Sequence, residues 1–207
     1  MTEVLISASL GAAATRPLLE GLVAEYDALY GGIAGRASAR SEIDRYPEAA
    51  FRAPHGDLLL LQRDGETIAG GAIMPHDGKT AEVKRVWTRL DLRKQGLSQR
   101  IMAALEARAV VLGYKRLYLT TGFRQPEAAA LYLKIGFRPL FDRAVDPRLY
   151  RSLPFEKLIG DDTLPATAAA VLPPAVTAQA ADARVKAIKA RHEAWLTSLL
   201  AERAAAS

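Results

Sequence analysis

The chain has 207 residues, 50% of them hydrophobic and 25% charged, which is enough for one globular domain with an appendage and lies outside the range of wholesale disorder. It contains no cysteine, which excludes a disulfide framework, a thiol nucleophile and thiolate metal sites, and three histidines scattered along the sequence do not make a typical zinc tetrad. A formal net charge of +5 suits an anionic partner: nucleic acid, anionic lipid or a phosphorylated cofactor.

Residues 4–9 read as a first strand with no basic stretch before it, and nothing in the chain approaches the roughly 18 apolar residues of a membrane span. The expectation is a soluble, cytoplasmic protein without a membrane partner. Residues 16–30 carry Leu18, Leu19, Leu22, Val23, Tyr26, Leu29 and Tyr30 at helical spacing, and Gly31 and Gly32 end that helix. A loop and a second helix over about residues 41–51 follow. Residues 57–63, the turn Asp64-Gly65, residues 66–74, the turn 75–78 and residues 79–88 read as three strands of an antiparallel meander. Residues 98–112 form an amphipathic helix, 116–121 a strand and 126–135 a helix, with Gly113 and Gly136 closing the two helices; Phe137 begins another strand. The order changes from antiparallel to strand-helix-strand at the fourth strand, and a sheet whose order changes opens a ligand crevice there.

Composition shifts near residue 159. Residues 1–158 make a domain, 159–177 an Ala/Pro-rich linker that is extended where Pro173 and Pro174 cluster, and 178–207 a C-terminal amphipathic helix. Val185, Ile188, His192, Trp195 and Leu199 fall on one helical stripe, which must pack on its own domain, on a twin subunit in a homodimer, or on a separate partner. His192 reads as packed on that stripe rather than as a ligand. His55 and His76, each following a proline, read as exposed turn residues.

The segment Arg93-Lys94-Gln95-Gly96-Leu97-Ser98 lies between a strand and a helix start. Main-chain N–H groups at a helix start lack intrahelical acceptors and sit at the positive end of the dipole, so they favour a phosphate. Gly96 lets the backbone come close to such a group, and Arg93 and Lys94 add charge at the rim; taken alone, a segment of this kind is more often just a helix start. Asp77-Gly78-Lys79-Thr80 resembles the end of a nucleotide-binding loop but leads into a strand and has Ile73 where the first glycine belongs. Gly96-Leu97-Ser98-Gln99-Arg100 lacks the second glycine of a nucleophile elbow. Basic residues are dispersed among acidic neighbours, which argues against nucleic acid.

Glu82-Val83-Lys84-Arg85-Val86-Trp87-Thr88, the segment 93–98, and Leu131-Tyr132-Leu133-Lys134-Ile135-Gly136-Phe137 together resemble, in order and spacing, the GNAT superfamily of acyl-CoA-dependent N-acetyltransferases. The resemblance covers about residues 58–140. It implies an α+β fold, a mixed and mostly antiparallel sheet splayed between the fourth and fifth strands with helices on both faces, here with a C-terminal helical tail added. Two positions depart from the family pattern. Ser98 stands where a second glycine or alanine is usual, and is small enough to cap the helix; Gln125 stands where asparagine is usual and is one methylene longer.

The resemblance further implies that acetyl-CoA, the acyl donor, lies between the splayed strands. Its pyrophosphate would be held by the amides of Arg93, Lys94, Gln95, Gly96, Leu97 and Ser98, and its pantetheine arm would run beside Val86, Trp87 and Thr88 like an added strand, with Gln125 as a further contact. A bulge in the fourth strand, common in the family, turns a main-chain N–H towards the thioester oxygen. Glu82 takes the place of the general base and Tyr132 that of the general acid. Read from the residues alone, Glu82 is equally an ion-pair partner of Lys84 or Arg85, and Tyr132 a tyrosine packed at a helix end.

The implied activity is acetyl transfer to a primary amine of a small molecule or peptide, by direct attack in a ternary complex and without a metal; the absence of cysteine leaves no acyl-cysteine route. The competing reading is a non-catalytic acyl-CoA-binding regulatory module. Arg36, Arg40, Arg45, Arg143 and Arg148, in the segments that border the acceptor site in this fold, suggest an acceptor bearing a carboxylate or phosphate.

Overall fold

The computed structural model describes residues 2–33, 38–160 and 170–205. Its strands are β1 (Glu3–Ser7), β2 (Asp57–Arg63), β3 (Glu66–Pro75), β4 (Thr80–Thr88), β5 (Arg116–Gly122), β6 (Arg138–Pro139) and β7 (Ser152–Leu158). Its helices are α1 (Arg16–Tyr30), α2 (Ala39–Ile43), α3 (Leu97–Val111), α4 (Pro126–Lys134) and α5 (Ala178–Ala205). The strands form one sheet in the order β1-β2-β3-β4-β5-β7-β6, and β4 with β5 is a parallel neighbour pair in an otherwise mostly antiparallel arrangement. The chain clusters into two compact units, Met1–Pro75 with Val83–Leu112, and His76–Glu82 with Gly113–Ser207.

In the first unit, Leu58 to Leu61 of β2 are all nearly inaccessible. An uninterrupted apolar run of this kind needs cover on both faces of the sheet. Two adjacent glycines in β3 show how that cover is seated. A Cβ on Gly70 would stand 2.5 Å from a methyl of Leu18 in α1, whereas one on Gly71 would stand 2.9 Å from a methyl of Leu105 in α3. Successive strand residues face opposite ways, so α1 and α3 lie on opposite faces of β3, each pressed against bare backbone. Asp57 of β2, buried, accepts from Arg108 Nε of α3 at 2.6 Å and from Ser7 Oγ of β1 at 3.0 Å, which gives its charge partners inside the core.

The second helix is much shorter than its sequence pattern suggests. It spans Ala39–Ile43, and Glu48–Phe51 forms a separate 3-10 turn after Pro47. Proline lacks the N–H that an ongoing helix needs and biases its predecessor away from helical angles, so the segment breaks there. The cap at the other end is as composition suggests, with Ser38 Oγ accepting from the Ser41 amide at 3.1 Å.

In the second unit, β5 pairs with β7 over its whole length, from Arg116 opposite Leu158 to Gly122 opposite Ser152. The parallel ladder between β4 and β5 covers Thr80, Ala81 and Glu82 opposite Arg116, Leu117 and Tyr118, while β4 continues to Thr88 and β5 to Gly122. Phe155 of β7 is fully buried beneath Phe141 and Tyr132. The C-terminal helix packs within this unit: Ala181 and Leu196 are buried, the stripe residues Val185, Ile188, His192, Trp195 and Leu199 are half-buried, and Asp182 pairs with Arg151 at 3.0 Å. Pro173 is tied in as well, its carbonyl accepting from Arg184 at 2.6 Å, and Leu172 bridges to Phe141. The earlier part of the Ala/Pro-rich segment, residues 161–169, lies outside the described residues. Among the described residues, no helix is long and apolar enough to cross a membrane.

Replacing Gly70 by alanine forces its methyl into Leu18 and the Leu59 carbonyl, and lowers the unfolding free energy by about 1–3 kcal/mol. Gly78, with nothing within 4 Å of an added Cβ, is the control, and Gly78→Ala stays within about 0.5 kcal/mol in the same urea titration. Burial pushes the Tyr114 phenol up to about 12, in the field of Arg203 near the end of α5. Because the folded value is raised, this stabilisation is complete below the unfolded phenol's value of about 10 and is lost as pH rises through 12. Tyr114→Phe therefore flattens the fall in stability over that window, measured by denaturant unfolding at a series of alkaline pH values.

Candidate active site

The helix start anticipated from the sequence is present and open. Gly96 is the N-cap of α3 at φ +78°, a left-handed conformation that strains any residue with a Cβ, and an added Cβ there would meet nothing within 4 Å beyond its chain neighbours. The first bond across this helix start runs from the Arg100 amide to the Gly96 carbonyl at 3.1 Å, so the amides of Leu97, Ser98 and Gln99 precede the i−4 ladder. No side chain caps them. Ser98, expected as the cap, sits at the second helical position, too far along to reach these amides in the usual way. Its hydroxyl instead lies 2.9 Å from Thr88 Oγ1, tying α3 to the end of β4. Lys94 also has positive φ, at +63°, and Arg93 through Gly96 are exposed. The Arg93 guanidinium is paired with Glu25 at 2.6 Å, so the backbone, with Lys94 beside it, sets the character of this loop.

Within β4, Arg85 adopts φ +57°, a left-handed angle that a residue with a Cβ rarely takes. Beyond it, Val86 is half-buried while Trp87 and Thr88 are buried. The Trp87 indole lies so close to α1 that a Cβ on Gly21 would overlap it at 2.2 Å. Three residues of β4 thus follow Arg85, two of them with buried side chains.

In the second unit, Glu82 is 3% exposed and sits opposite Tyr118 in the parallel ladder, so the two project from the same face. Its Oε2 lies 3.6 Å from His76 Nδ1 and 3.5 Å from His192 Nδ1. His76 stacks on Tyr118 with ring centroids 4.2 Å apart, and His192 stacks on Trp195 at 5.7 Å. His76 is therefore not a turn residue facing solvent, and His192, delivered by α5, is packed but also faces a carboxylate. Donor atoms of His76, Glu82 and His192 all lie within 4.8 Å of one another, close enough to converge on one metal ion. Sequence reasoning missed this cluster because its members come from a hairpin, a strand and a distant helix. The only trace was that His192 fell on the helical stripe.

Tyr132 of α4 is 8% exposed, its ring packed against Phe137 and Phe155 at 5.9 and 5.7 Å between centroids. Gln125 precedes α4 and turns its side chain inward, Oε1 accepting from the Gly122 amide at 3.0 Å and from Thr121 Oγ1 at 3.2 Å. It braces the β5–α4 turn, as its extra methylene permits.

The arginines expected to greet an anionic acceptor are mostly engaged locally: Arg45 with Glu42 at 2.6 Å, Arg148 with Asp146 at 2.7 Å, and Arg40 with Asp44 at 4.0 Å. Arg143 is exposed, and Arg36 lies outside the described residues. Arg85, noticed in the sequence only as a partner for Glu82, is the exception. It is buried and donates through Nη2 to the Ile43 carbonyl, and its guanidinium lies 4.0 Å from the centroid of the Phe51 ring.

These features agree with what the chain resembles. Residues 19–137 match the family model of the acetyltransferase (GNAT) family, more than half of the chain, and the protein belongs to that family. It is an acyltransferase. The uncharacterized N-acetyltransferase YjgM of Escherichia coli K12 is 27% identical over 126 residues, spanning 58% of this chain and 75% of that one. Among solved structures, a GNAT family acetyltransferase of Elizabethkingia anophelis with acetyl-CoA bound is 18% identical with a TM-score of 0.53, covering 76% of this chain and 98% of the other. The PaiA N-acetyltransferase of Thermoplasma acidophilum in complex with coenzyme A is 16% identical with a TM-score of 0.58, covering 76% and 99%. At these identities the structures share the fold.

If Gln125 serves the turn, Gln125→Ala leaves the Gly122 amide without its acceptor and lowers the unfolding free energy of the ligand-free protein by about 1–2 kcal/mol. Chemical denaturation without any coenzyme measures this directly.

Proposed function

We propose that the protein transfers an acetyl group from acetyl-CoA to a primary amine by direct attack in a ternary complex. The observation that carries this is the left-handed Gly96 at the head of α3, with the amides behind it uncapped by any side chain. Such a set of donors at the positive end of a helix suits a diphosphate. The backbone of Arg93, Lys94, Gln95, Gly96, Leu97 and Ser98, exposed from Arg93 to Gly96, fits that group, and a larger residue at 96 would adopt the required angle only under strain. Main-chain groups of Val86, Trp87 and Thr88, which follow Arg85, pair with the pantetheine amides as a neighbouring strand would. Gln125 offers its amide N–H₂, its oxygen being committed to the turn. Acetyl-CoA supplies the activated acyl group.

The remaining chemistry is proton transfer. An alkyl ammonium with a pKa of about 10.4 must lose a proton before it attacks. Glu82 accepts that proton through water, and the imidazoles of His76 and His192 on either side carry it onward. Tyr132 returns a proton to the departing thiolate, a role its phenol fills without prior ionisation. The convergence of His76, Glu82 and His192 also favours a second reading, in which the three donors hold a divalent cation and the carboxylate is a ligand rather than a base.

The test is thiol release from acetyl-CoA over a panel of primary amines. Tyr132→Phe lowers kcat by about 10²-fold or more while coenzyme affinity, measured by calorimetry, changes little, and Glu82→Gln behaves the same way. Treatment with a chelator leaves the rate unchanged if Glu82 is the base; loss of activity restored by Zn²⁺ selects the metal reading. Tight coenzyme binding with no turnover on any amine overturns the catalytic assignment.

A further inference from the structure

Arg85 is 9% exposed, and of its five N–H hydrogens the structure accounts for a single donation, from Nη2 to the Ile43 carbonyl. Both Nε and Nη1 are buried without a hydrogen-bond partner. Around the guanidinium stand the Phe51 ring, 4.0 Å from its centroid, and Tyr26, Asp44 and Tyr46 within electrostatic range. None of these neutralises it. Asp44 is more than half exposed and lies 4.0 Å from Arg40, while Tyr46 carries the Lys84 ammonium 5.0 Å from its ring centroid. Burial lowers the Arg85 group to about 10, which leaves it charged at neutral pH, and it raises the Tyr26 phenol beside it. A buried cation with unspent donors is costly unless an anion completes it.

We propose that Arg85 receives a carboxylate of the acceptor, so that the amine acetylated by this protein belongs to an amino-acid-like molecule. The inference rests on the acetyl-transfer reading and supplies its missing half. Arg85 stands one residue before Val86, where the strand assigned to the pantetheine arm begins, and it is bordered by Ile43 of α2 and by Phe51 of the turn Glu48–Phe51. Nη2 keeps a second hydrogen beyond the one given to Ile43, so Nε or Nη1 can pair with it to present a two-pronged edge to a planar carboxylate. The guanidinium, bordered by Phe51, Tyr26 and Tyr46, offers a planar fork that matches a carboxylate, with the Lys84 ammonium at the Tyr46 ring as further positive charge and with Arg45 and Arg40 standing against Glu42 and Asp44. Phe51, packed on the guanidinium face, keeps the fork in plane and excludes water.

The experiment compares α-amino acids, ω-amino acids and dipeptides, each against its own C-terminal amide, in the thiol-release assay with the full chain. The carboxylate form has kcat/KM at least about tenfold above the amide, the range expected for charge-assisted hydrogen bonds to a desolvated partner. In Arg85→Lys, which keeps the charge but not the fork, the ratio falls, and in Arg85→Gln it approaches one. The same acids and amides are titrated calorimetrically into the protein with coenzyme A present. Acids and amides turned over equally well overturn the Arg85 assignment and leave acetyl transfer standing. Carboxylate-dependent binding that Arg85→Gln abolishes, with no turnover, supports the Arg85 site and overturns acetyl transfer. Neither binding nor turnover overturns both, and a preference for phosphoryl amines over carboxylates overturns the ligand class. Should the variants fail to fold, the wild-type acid-to-amide ratio decides alone.

Discussion

One left-handed residue in the middle of β4 controls what the strand presents. In an unbroken strand the side chains alternate strictly, and a ladder of main-chain bonds continues to each end. Arg85 at φ +57° departs from extended backbone, at a cost of about 1–2 kcal/mol for a residue with a Cβ. Before it, Glu82 lies on the face it shares with Tyr118, between two imidazoles. At it, a guanidinium is turned under Phe51 and the Ile43 carbonyl. Glu82 and Arg85, three residues apart on a strand, each have buried surroundings of their own. Such strain persists only where neighbouring packing over-determines it, and the burial of Trp87 against Gly21 and of Thr88 against Ser98 supplies that packing.

The loop ahead of α3 shows the same economy of charge. Its arginines look like the source of its anion preference, yet Arg93 is held by Glu25 and Arg100 by Glu3. What remains uncompensated is the row of amides behind Gly96 and the dipole they terminate, with Lys94 exposed beside them. On the proposed function, specificity for a diphosphate comes from donors fixed by backbone geometry at a helix start where Leu97 and Ile101 are buried, and not from mobile side chains that would have to be ordered on binding.

Local elements were legible in the sequence wherever local chemistry decides them. The run from Arg16 to Tyr30 and the strand from Asp57 to Arg63 have the ends their periodicity indicates, because a helical stripe or an apolar run is self-reporting. The second helix failed because Pro47 outranks the favourable residues around it. The site was legible through its glycines and its resemblance to a family, but not in its side-chain partners. Ser98 had the right size for a cap and the wrong position, and Gln125 spends its oxygen on the turn. His76 and His192 carried no signal of convergence, since no spacing rule connects a hairpin residue to a helix more than a hundred positions away.

The basic residues make the general point. Arg40, Arg45 and Arg148 drew attention as a cationic surface, and each has a carboxylate two to four positions away that helical or turn geometry brings to its side. Pairs of that kind contribute only a few tenths of a kcal/mol but reduce the local field, which makes them poor anchors for a ligand. Arg85 is in a strand, where neighbours at such separations do not meet in the same way, and its partners are set by tertiary packing. The fold gives it a carbonyl and an aromatic face and, among the described residues, no acid within hydrogen-bond reach. A charge that sequence neighbours cannot satisfy and that the fold leaves incomplete is a stronger pointer to a ligand than a count of arginines, because dehydrating it is costly until something of opposite sign arrives.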